Sequence, residues 1–216
     1  MNKEKKIIGI FVIIAVTLVA GFIILFQFSS PKIYGNKGGS SGEVSRYVSR
    51  DIPMTDSNGS TRRLMDLKGK VWLISHVFTR CPGQCAGVCV VLDEIRKDVN
   101  DKENLQFVSV TLDPNHDTPD HLKDFSNKHG FVTDDWWFLT GESSELNRYM
   151  MEVFSLSAQE KKESEKVSED DIFAHKPMVA LINHELKIEG WYNPFDKRSS
   201  EALREKLLFA LNEAKS

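Results

Sequence analysis

The stretch HVFTRCPGQCAGVC, residues 76–89, holds every cysteine of the 216-residue chain, namely Cys81, Cys85 and Cys89. An apolar, β-branched run at residues 70–79 leads into it and predicts a buried strand. A proline follows the first cysteine and suits the first position of a helix, where its missing N–H costs nothing. The stretch therefore predicts a strand that passes into a helix, with a thiol at the junction.

Strand-like and helix-like segments alternate along the rest of the chain. Apolar runs rich in β-branched and aromatic residues predict strands, and apolar residues recurring every three or four positions predict helices. Strands alternating with helices predict an α/β fold, with a mainly parallel central sheet flanked by helices. Strands are predicted at residues 70–79, 105–113, 135–141, 177–182 and 187–192, and helices at residues 85–99, 119–130, 143–154 and 199–214.

The N-terminus adds a hydrophobic segment to this domain. MNKEKK, residues 1–6 and predicted to be cytoplasmic, precedes a run without charged residues at positions 7–28. About 20 apolar residues in a helix span a bilayer core of roughly 30 Å, so the run predicts a single transmembrane anchor. A cleaved signal peptide is the alternative, although its apolar region is usually only about 7–15 residues long. The Gly- and Ser-rich residues 29–46 predict a flexible linker, and residues 47–216 the folded domain.

Composition narrows the class of function. The hydrophobic content of 41% supports a folded core. The net charge of -3, without a basic patch, argues against a nucleic-acid partner. Three cysteines do not make a disulfide framework, and clustered cysteines more often indicate metal or redox chemistry.

Cys81 and Cys85 are spaced for either of those two chemistries. Side chains four residues apart on a helix lie about 5–6 Å apart at Cβ, whereas a disulfide needs roughly 3.8 Å. Cys81 precedes the regular helix, so the pair can still close into a disulfide. Two thiolates held slightly apart equally suit one soft metal ion. Cys89 is predicted to pack in the core, because free cysteine is among the most buried residue types.

Four motifs, in this order along the chain, resemble the Sco/SenC family. Members of that family are membrane-anchored copper proteins of cytochrome oxidase assembly, with a thioredoxin-like fold. The motifs are VFTRCPGQC, VTLDPNHDTP, WWFLTG and AHKPMVALINHELKIEGWY. The resemblance extends over roughly residues 52–211. It implies a thioredoxin-like domain behind the predicted anchor.

The resemblance also implies a metal site. Two cysteines and one histidine bind copper in the family, and they fall on Cys81, Cys85 and His175. The family's aspartate beside the site falls on Asp113, although an aspartate before proline is also common turn chemistry. Pro177 stands where thioredoxins place a cis-proline facing the cysteine pair.

The remaining histidines and the polar segment before His175 are predicted to be structural or exposed. The segment QEKKESEKVSEDD, residues 159–171, predicts a solvated surface loop beside a mobile His175 segment. His76 lies on the strand before Cys81 and is predicted to be a structural histidine. The others are predicted at the surface, namely His116, His121, His129 and His184.

Two functions remain open from the sequence. The resemblance implies that one copper ion, as Cu(I) or Cu(II), is delivered to the copper centre of cytochrome c oxidase; another copper protein is the alternative partner. The alternative is a thiol–disulfide oxidoreductase with Cys81 as nucleophile and Cys85 as resolving thiol. His175 separates the two, since copper binding needs it and disulfide exchange does not. Anchor and resemblance together predict a domain on the extracytoplasmic side of the membrane.

A structural zinc site made of all three cysteines and His175 is disfavoured. Three cysteines along one helix span about 12 Å at a rise of 1.5 Å per residue. That span is too long for one ion with Zn–S distances of about 2.3 Å.

Overall fold

A computed structural model describes residues 47–81 and 84–215, with the backbone alone for Gln84 and Cys85. The predicted N-terminus, anchor and linker, residues 1–46, lie outside the described residues and stay predictions. Within the described residues, no helix combines the length and the apolar character needed to cross a bilayer.

The described residues contain every helix and strand that the hydrophobic pattern predicts, with ends shifted by a few residues. Four short strands are additional to the prediction, at residues 54–56, 61–62, 158–160 and 173–175. In chain order the elements are β1 (Met54–Asp56), β2 (Thr61–Arg62), β3 (Val71–Val77), α1 (Gln84–Asp98), β4 (Leu105–Thr111), α2 (Pro119–His129), β5 (Trp136–Thr140), α3 (Ser143–Phe154), β6 (Ala158–Glu160), β7 (Phe173–His175), β8 (Val179–Ile182), β9 (Ile188–Tyr192) and α4 (Lys197–Glu213).

Seven strands form one sheet in the order β2-β1-β5-β4-β3-β8-β9. The pairs β3–β4 and β4–β5 are parallel, and the other pairs are antiparallel. The prediction of a mainly parallel sheet is therefore wrong, because hairpins such as β8–β9 can pair only in antiparallel fashion. A mixed sheet flanked by helices still fits the expected thioredoxin-like architecture.

The central strand β3 is covered on both faces, which explains its uninterrupted apolar sequence. Val71, Leu73 and Val77 pack in one cluster with residues of α1, α2 and α4. Trp72 and Ile74 point to the opposite face and pack with α3 and with the segment before β1. This double burial fixes β3, and with it the direction in which the chain leaves the sheet toward Cys81.

Helix α2 begins and ends at strong local signals. The side-chain oxygen of Thr118 accepts a hydrogen bond from the His121 N–H, and Pro119 takes the first helical position. Gly130 ends the helix at φ 75°, a left-handed conformation that glycine adopts without steric cost. The loop at 112–118 thus joins the end of β4 to a fixed helix start, beside the end of the parallel neighbour β3.

The prediction of a solvated surface loop at residues 159–171 is confirmed for most of the segment, whose residues are largely exposed, and is wrong at its start, where Gln159 and Glu160 belong to β6. β6 and β7 pair as a separate two-stranded sheet, with Ala158 opposite His175. Between them, Lys161 Nζ and Asp171 Oδ1 form an ion pair at 2.7 Å. His175 is therefore the last residue of a paired strand.

Candidate metal centre

Cys81 lies just beyond the carboxyl end of β3. Its backbone N–H donates to the carbonyl of Phe78 at 3.0 Å, which closes a turn. Its half-buried side chain packs against a small apolar cluster formed by Phe78 and Leu112. Helix α1 begins at Gln84. The prediction of a thiol between strand and helix is confirmed.

The β6–β7 hairpin packs against the same apolar cluster. Ala158 and Phe173 both contact it, and the rings of Phe78 and Phe173 meet edge to face with centroids 5.3 Å apart. Phe173 lies two residues before His175, and Ala158 pairs with His175 across the hairpin. The strand that carries His175 and the turn that carries Cys81 are therefore neighbours, although they are remote in sequence.

His175 is half-buried and lies near His76. The two ring centroids are 6.4 Å apart and the ring planes are 73° apart. His76 is buried in β3, and its Nε2 lies 3.1 Å from the carbonyl oxygen of Leu156. Burial lowers the pKa of His76 to about 4. His76 is therefore neutral at pH 7, and its predicted structural role is confirmed.

The three predicted ligands are only partly described. Cys85 lies in the first turn of α1, one turn after Cys81, and its side chain is outside the described atoms. Among the side chains that are described, no three His, Cys, Asp or Glu residues form a group that could hold a metal ion. The set of Cys81, Cys85 and His175 thus stays a prediction. A thiol and an imidazole on elements packed against one cluster do fit a soft or borderline cation such as copper.

Asp113 touches the Cys81 turn through Arg80, which sequence reasoning did not single out. Asp113 Oδ2 accepts from Arg80 Nη2 at 2.6 Å. Arg80 Nη1 also lies 3.6 Å from Asp170 Oδ1, in the segment between β6 and β7. The guanidinium is 5.9 Å from the ring centroid of Phe78. Asp113 therefore borders the candidate site and holds the residue that precedes Cys81.

Asp117 is a second residue that sequence reasoning missed. Its carboxylate connects the Cys81 turn to the loop before α2 through hydrogen bonds. Its Oδ1 accepts from the Thr79 hydroxyl and lies 3.0 Å from His116 Nδ1. Its Oδ2 accepts from the Thr79 N–H at 3.2 Å and from the Thr111 hydroxyl at 2.5 Å. Both oxygens thus use their full capacity for donors. Thr79 and Asp117 belong to two of the four motifs, yet spacing alone cannot reveal that they meet.

Three further predictions have clear outcomes. Cys89 is fully buried, with Sγ 4.0 Å from the Ser109 hydroxyl, and burial raises its pKa to about 12. Its role in core packing is confirmed.

The described residues contain no cis peptide bond. Pro177 is therefore trans and does not reproduce the thioredoxin feature. Of the histidines predicted at the surface, two are exposed (His121, His129) and two are half-buried (His116, His184).

Comparison with known proteins identifies relatives in the family that the sequence motifs resemble. The SCO1/SenC family profile matches residues 44–210. A SCO1 protein homolog of Bacillus subtilis (strain 168) is 26% identical over 149 residues, which is 68% of this chain and 74% of that protein.

Solved structures show the same fold at low sequence identity. BsSco, a Sco family cytochrome c oxidase assembly protein in which a disulfide switch has been identified, has a TM-score of 0.64 at 24% identity. The match covers 76% of this chain and 93% of BsSco. Copper-bound ScoI of Bradyrhizobium japonicum has a TM-score of 0.62 at 22% identity, and the match covers 74% of this chain and 98% of ScoI.

Proposed function

Because the chain belongs to the SCO1/SenC family, we propose that it binds one copper ion through Cys81, Cys85 and His175 and delivers the ion to cytochrome c oxidase. Copper is bound in the structure of the similar ScoI, and BsSco belongs to the oxidase assembly proteins. The proposal includes the anchor predicted at residues 7–28 and a domain on the extracytoplasmic side of the membrane.

The packing of β7 and of the Cys81 turn on one apolar cluster carries the proposal. This packing brings the backbone of His175 near the junction between β3 and α1, which contains Cys81 and Cys85. Two soft thiolates supply affinity for Cu(I), and imidazole suits copper in either oxidation state. A third ligand on a separate hairpin gives the ion a route of release, since His175 can leave while the two thiols stay on the main fold.

The disulfide switch of BsSco favours a second candidate function, which uses the same two thiols. In that reaction Cys81 attacks a disulfide of a partner protein as a thiolate, and Cys85 then resolves the mixed disulfide. The partner gains two electrons and two protons as its disulfide becomes two thiols. Cys81 and Cys85 lose the same number and form a disulfide. His175 has no part in this exchange.

Copper binding by variants of the reduced full chain in detergent separates the two functions. The chain receives one equivalent of Cu(I), and a chelator competes for the metal. His175→Ala should weaken copper binding by more than the roughly 10–100-fold typical of losing an outer-sphere partner, while disulfide exchange is retained. The buried thiol provides the matched control, and Cys89→Ser should keep wild-type affinity. Unchanged copper affinity in His175→Ala would show that the third ligand is assigned wrongly.

A further inference from the structure

Arg80, the residue immediately before Cys81, contacts both the main fold and the hairpin that carries His175. Its Nη2 lies 2.6 Å from Oδ2 of Asp113, in the loop after β4. Its Nη1 lies 3.6 Å from Oδ1 of Asp170, in the segment between β6 and β7. Because two different nitrogens of one guanidinium make these contacts, both carboxylates are paired at the same time.

The contact with Asp113 orders the guanidinium on which Asp170 docks. The Asp113 side chain is 11% accessible to solvent, whereas that of Asp170 is 56% accessible. Exposed ion pairs are usually weak, partly because two flexible side chains must be fixed in one geometry. Here the cation is already fixed by Asp113, and the ring centroid of Phe78 lies 5.9 Å from it. Only the short side chain of Asp170 remains to be ordered.

The hairpin itself has little stability without such contacts. β6 and β7 have three residues each and form a separate two-stranded sheet. An isolated pair of strands is only marginally stable in water. The contacts between the hairpin and the Cys81 turn therefore decide how often the hairpin detaches. An interaction that shifts this equilibrium only severalfold still changes the population in which His175 has moved away.

We infer that Arg80 is a positioning residue, which holds the β6–β7 hairpin against the Cys81 turn through its ion pair with Asp170. This part of the inference concerns the fold alone. Its consequence for copper rests on the proposed function, in which His175 is the third ligand. Loss of the ion pair should let the hairpin detach more often, and the ion should then be released faster. Neither Arg80 nor Asp170 is a proposed ligand, so both act on the ion only through His175.

Amide hydrogen exchange of the reduced, metal-free full chain in detergent tests the part that concerns the fold, because exchange of backbone amides reports local opening. Arg80→Gln, Asp170→Asn and the double variant are compared with the wild type. Asp170→Glu keeps the charge and serves as the conservative variant. Glu169→Gln is the matched control, since it removes a negative charge from the neighbouring exposed residue.

The amides of residues 158–175 should exchange roughly 1.5- to 5-fold faster in Arg80→Gln and in Asp170→Asn, which is the range for an exposed ion pair. The amides of β8 and β9 should exchange as in the wild type. The double variant should be no faster than Arg80→Gln, because both changes remove the same interaction. Asp170→Glu and Glu169→Gln should behave as the wild type. The differences should shrink in about 1 M salt, where the Debye length is only about 3 Å, whereas a loss of apolar packing would persist.

The rate at which a chelator removes Cu(I) from the loaded chain tests the consequence for copper separately. This rate should rise by a similar factor in Arg80→Gln and in Asp170→Asn. If the hairpin loosens and the release rate stays unchanged, the role of Arg80 stands and His175 is wrongly assigned as a ligand. The inference is overturned if the hairpin amides of Asp170→Asn exchange as those of Glu169→Gln do, or if the effects of the two single substitutions add.

Discussion

Replacing Asp117 by alanine should destabilise the protein strongly, because this buried carboxylate accepts hydrogen bonds from Thr79, at the start of the Cys81 turn. Alanine removes both oxygens, so the Thr79 N–H and the Thr111 hydroxyl lose their acceptor. Thr111 is fully buried and Thr79 half-buried. At roughly 1–3 kcal/mol for each buried donor left unsatisfied, the free energy of unfolding should fall by about 2–6 kcal/mol.

Asparagine at the same position should have a smaller and more selective effect. The Thr79 N–H can only donate, so the new amide must keep its oxygen at the Oδ2 position. Its NH2 group then faces the Thr79 hydroxyl and His116 Nδ1, both of which can accept a hydrogen bond. The loss is confined to the charge assistance of the hydrogen bonds, about 1–2 kcal/mol in total. His116 must then carry its proton on Nε2.

Calorimetric unfolding of the full chain in detergent measures these effects. A loss of 2–6 kcal/mol in Asp117→Ala corresponds to a drop of about 5–20 °C in Tm for a domain of this size. Asp113→Ala is the matched control, because among the described residues the Asp113 carboxylate accepts from one only, the part-exposed Arg80; water can reach that guanidinium after the change, so the loss should be about 1 kcal/mol, as for an ordinary hydrogen bond. For a domain of this size, a Tm difference of about 2 °C corresponds to about 1 kcal/mol or less. If the Tm values of Asp117→Ala and Asp113→Ala differ by less than that, the Asp117 carboxylate does not stabilise the turn.

Three further predictions concern His76, Cys89 and Gly130. The pKa of His76 is lowered from 6.5 to about 4 by burial, so the unfolded chain binds the extra proton between these pH values. The free energy of unfolding should therefore fall by about 3 kcal/mol from pH 6.5 to 4. Urea unfolding at several pH values should show a weaker dependence of this free energy on pH for His76→Phe than for the wild type, and an equal dependence would contradict the prediction. With Cys81 and Cys85 changed to serine, iodoacetamide should label Cys89 only after unfolding, because the thiol is fully buried with a pKa of about 12; rapid labelling of the native chain would contradict its place in the core. Gly130→Ala should cost about 1–2 kcal/mol, since φ is 75° there, and an unchanged Tm would contradict that strain.

Five of the seven strands of the main sheet, and the helices that flank it, could be predicted from sequence because they are long or strongly patterned, whereas β1 and β2, with three and two residues, could not. β3 is a continuous apolar run covered on both faces, and α1 has apolar residues at helical spacing. β6 and β7 could not be predicted, because each has three residues and the segment between them is polar. Such strands are too short to show a period, and only their pairing with each other defines them.

The residues of the candidate site were inferred from the motifs and stay a prediction, whereas the contacts that support the Cys81 turn could not be predicted. Cys81, Cys85 and His175 follow from motifs that recur in a family. The contact from Arg80 to Asp113 joins residues 33 apart in sequence, and that from Thr79 to Asp117 joins residues 38 apart. Composition and periodicity carry no information on contacts of this range. His116 was predicted only to lie at the surface, and its hydrogen bond to Asp117 was not foreseen.

The position of His175 on a two-stranded hairpin bears directly on how copper could be handed over. An isolated pair of strands is only marginally stable in water, so β6 and β7 depend on their contacts with the main fold. Contacts that connect this region to the Cys81 turn include the Phe78–Phe173 ring pair, the Arg80–Asp170 ion pair and the packing of Ala158 and Ile172 on the Phe78–Leu112 cluster. The ring pair adds about 0.5–1.5 kcal/mol beyond the area it buries, and an exposed ion pair about 1 kcal/mol or less. Moving β7 away from Cys81 leaves the hydrogen bonds of the seven-stranded sheet intact, because β6 and β7 form a separate sheet. A partner that competes for these contacts would loosen the proposed third ligand, His175, while the residues of the main fold keep their places.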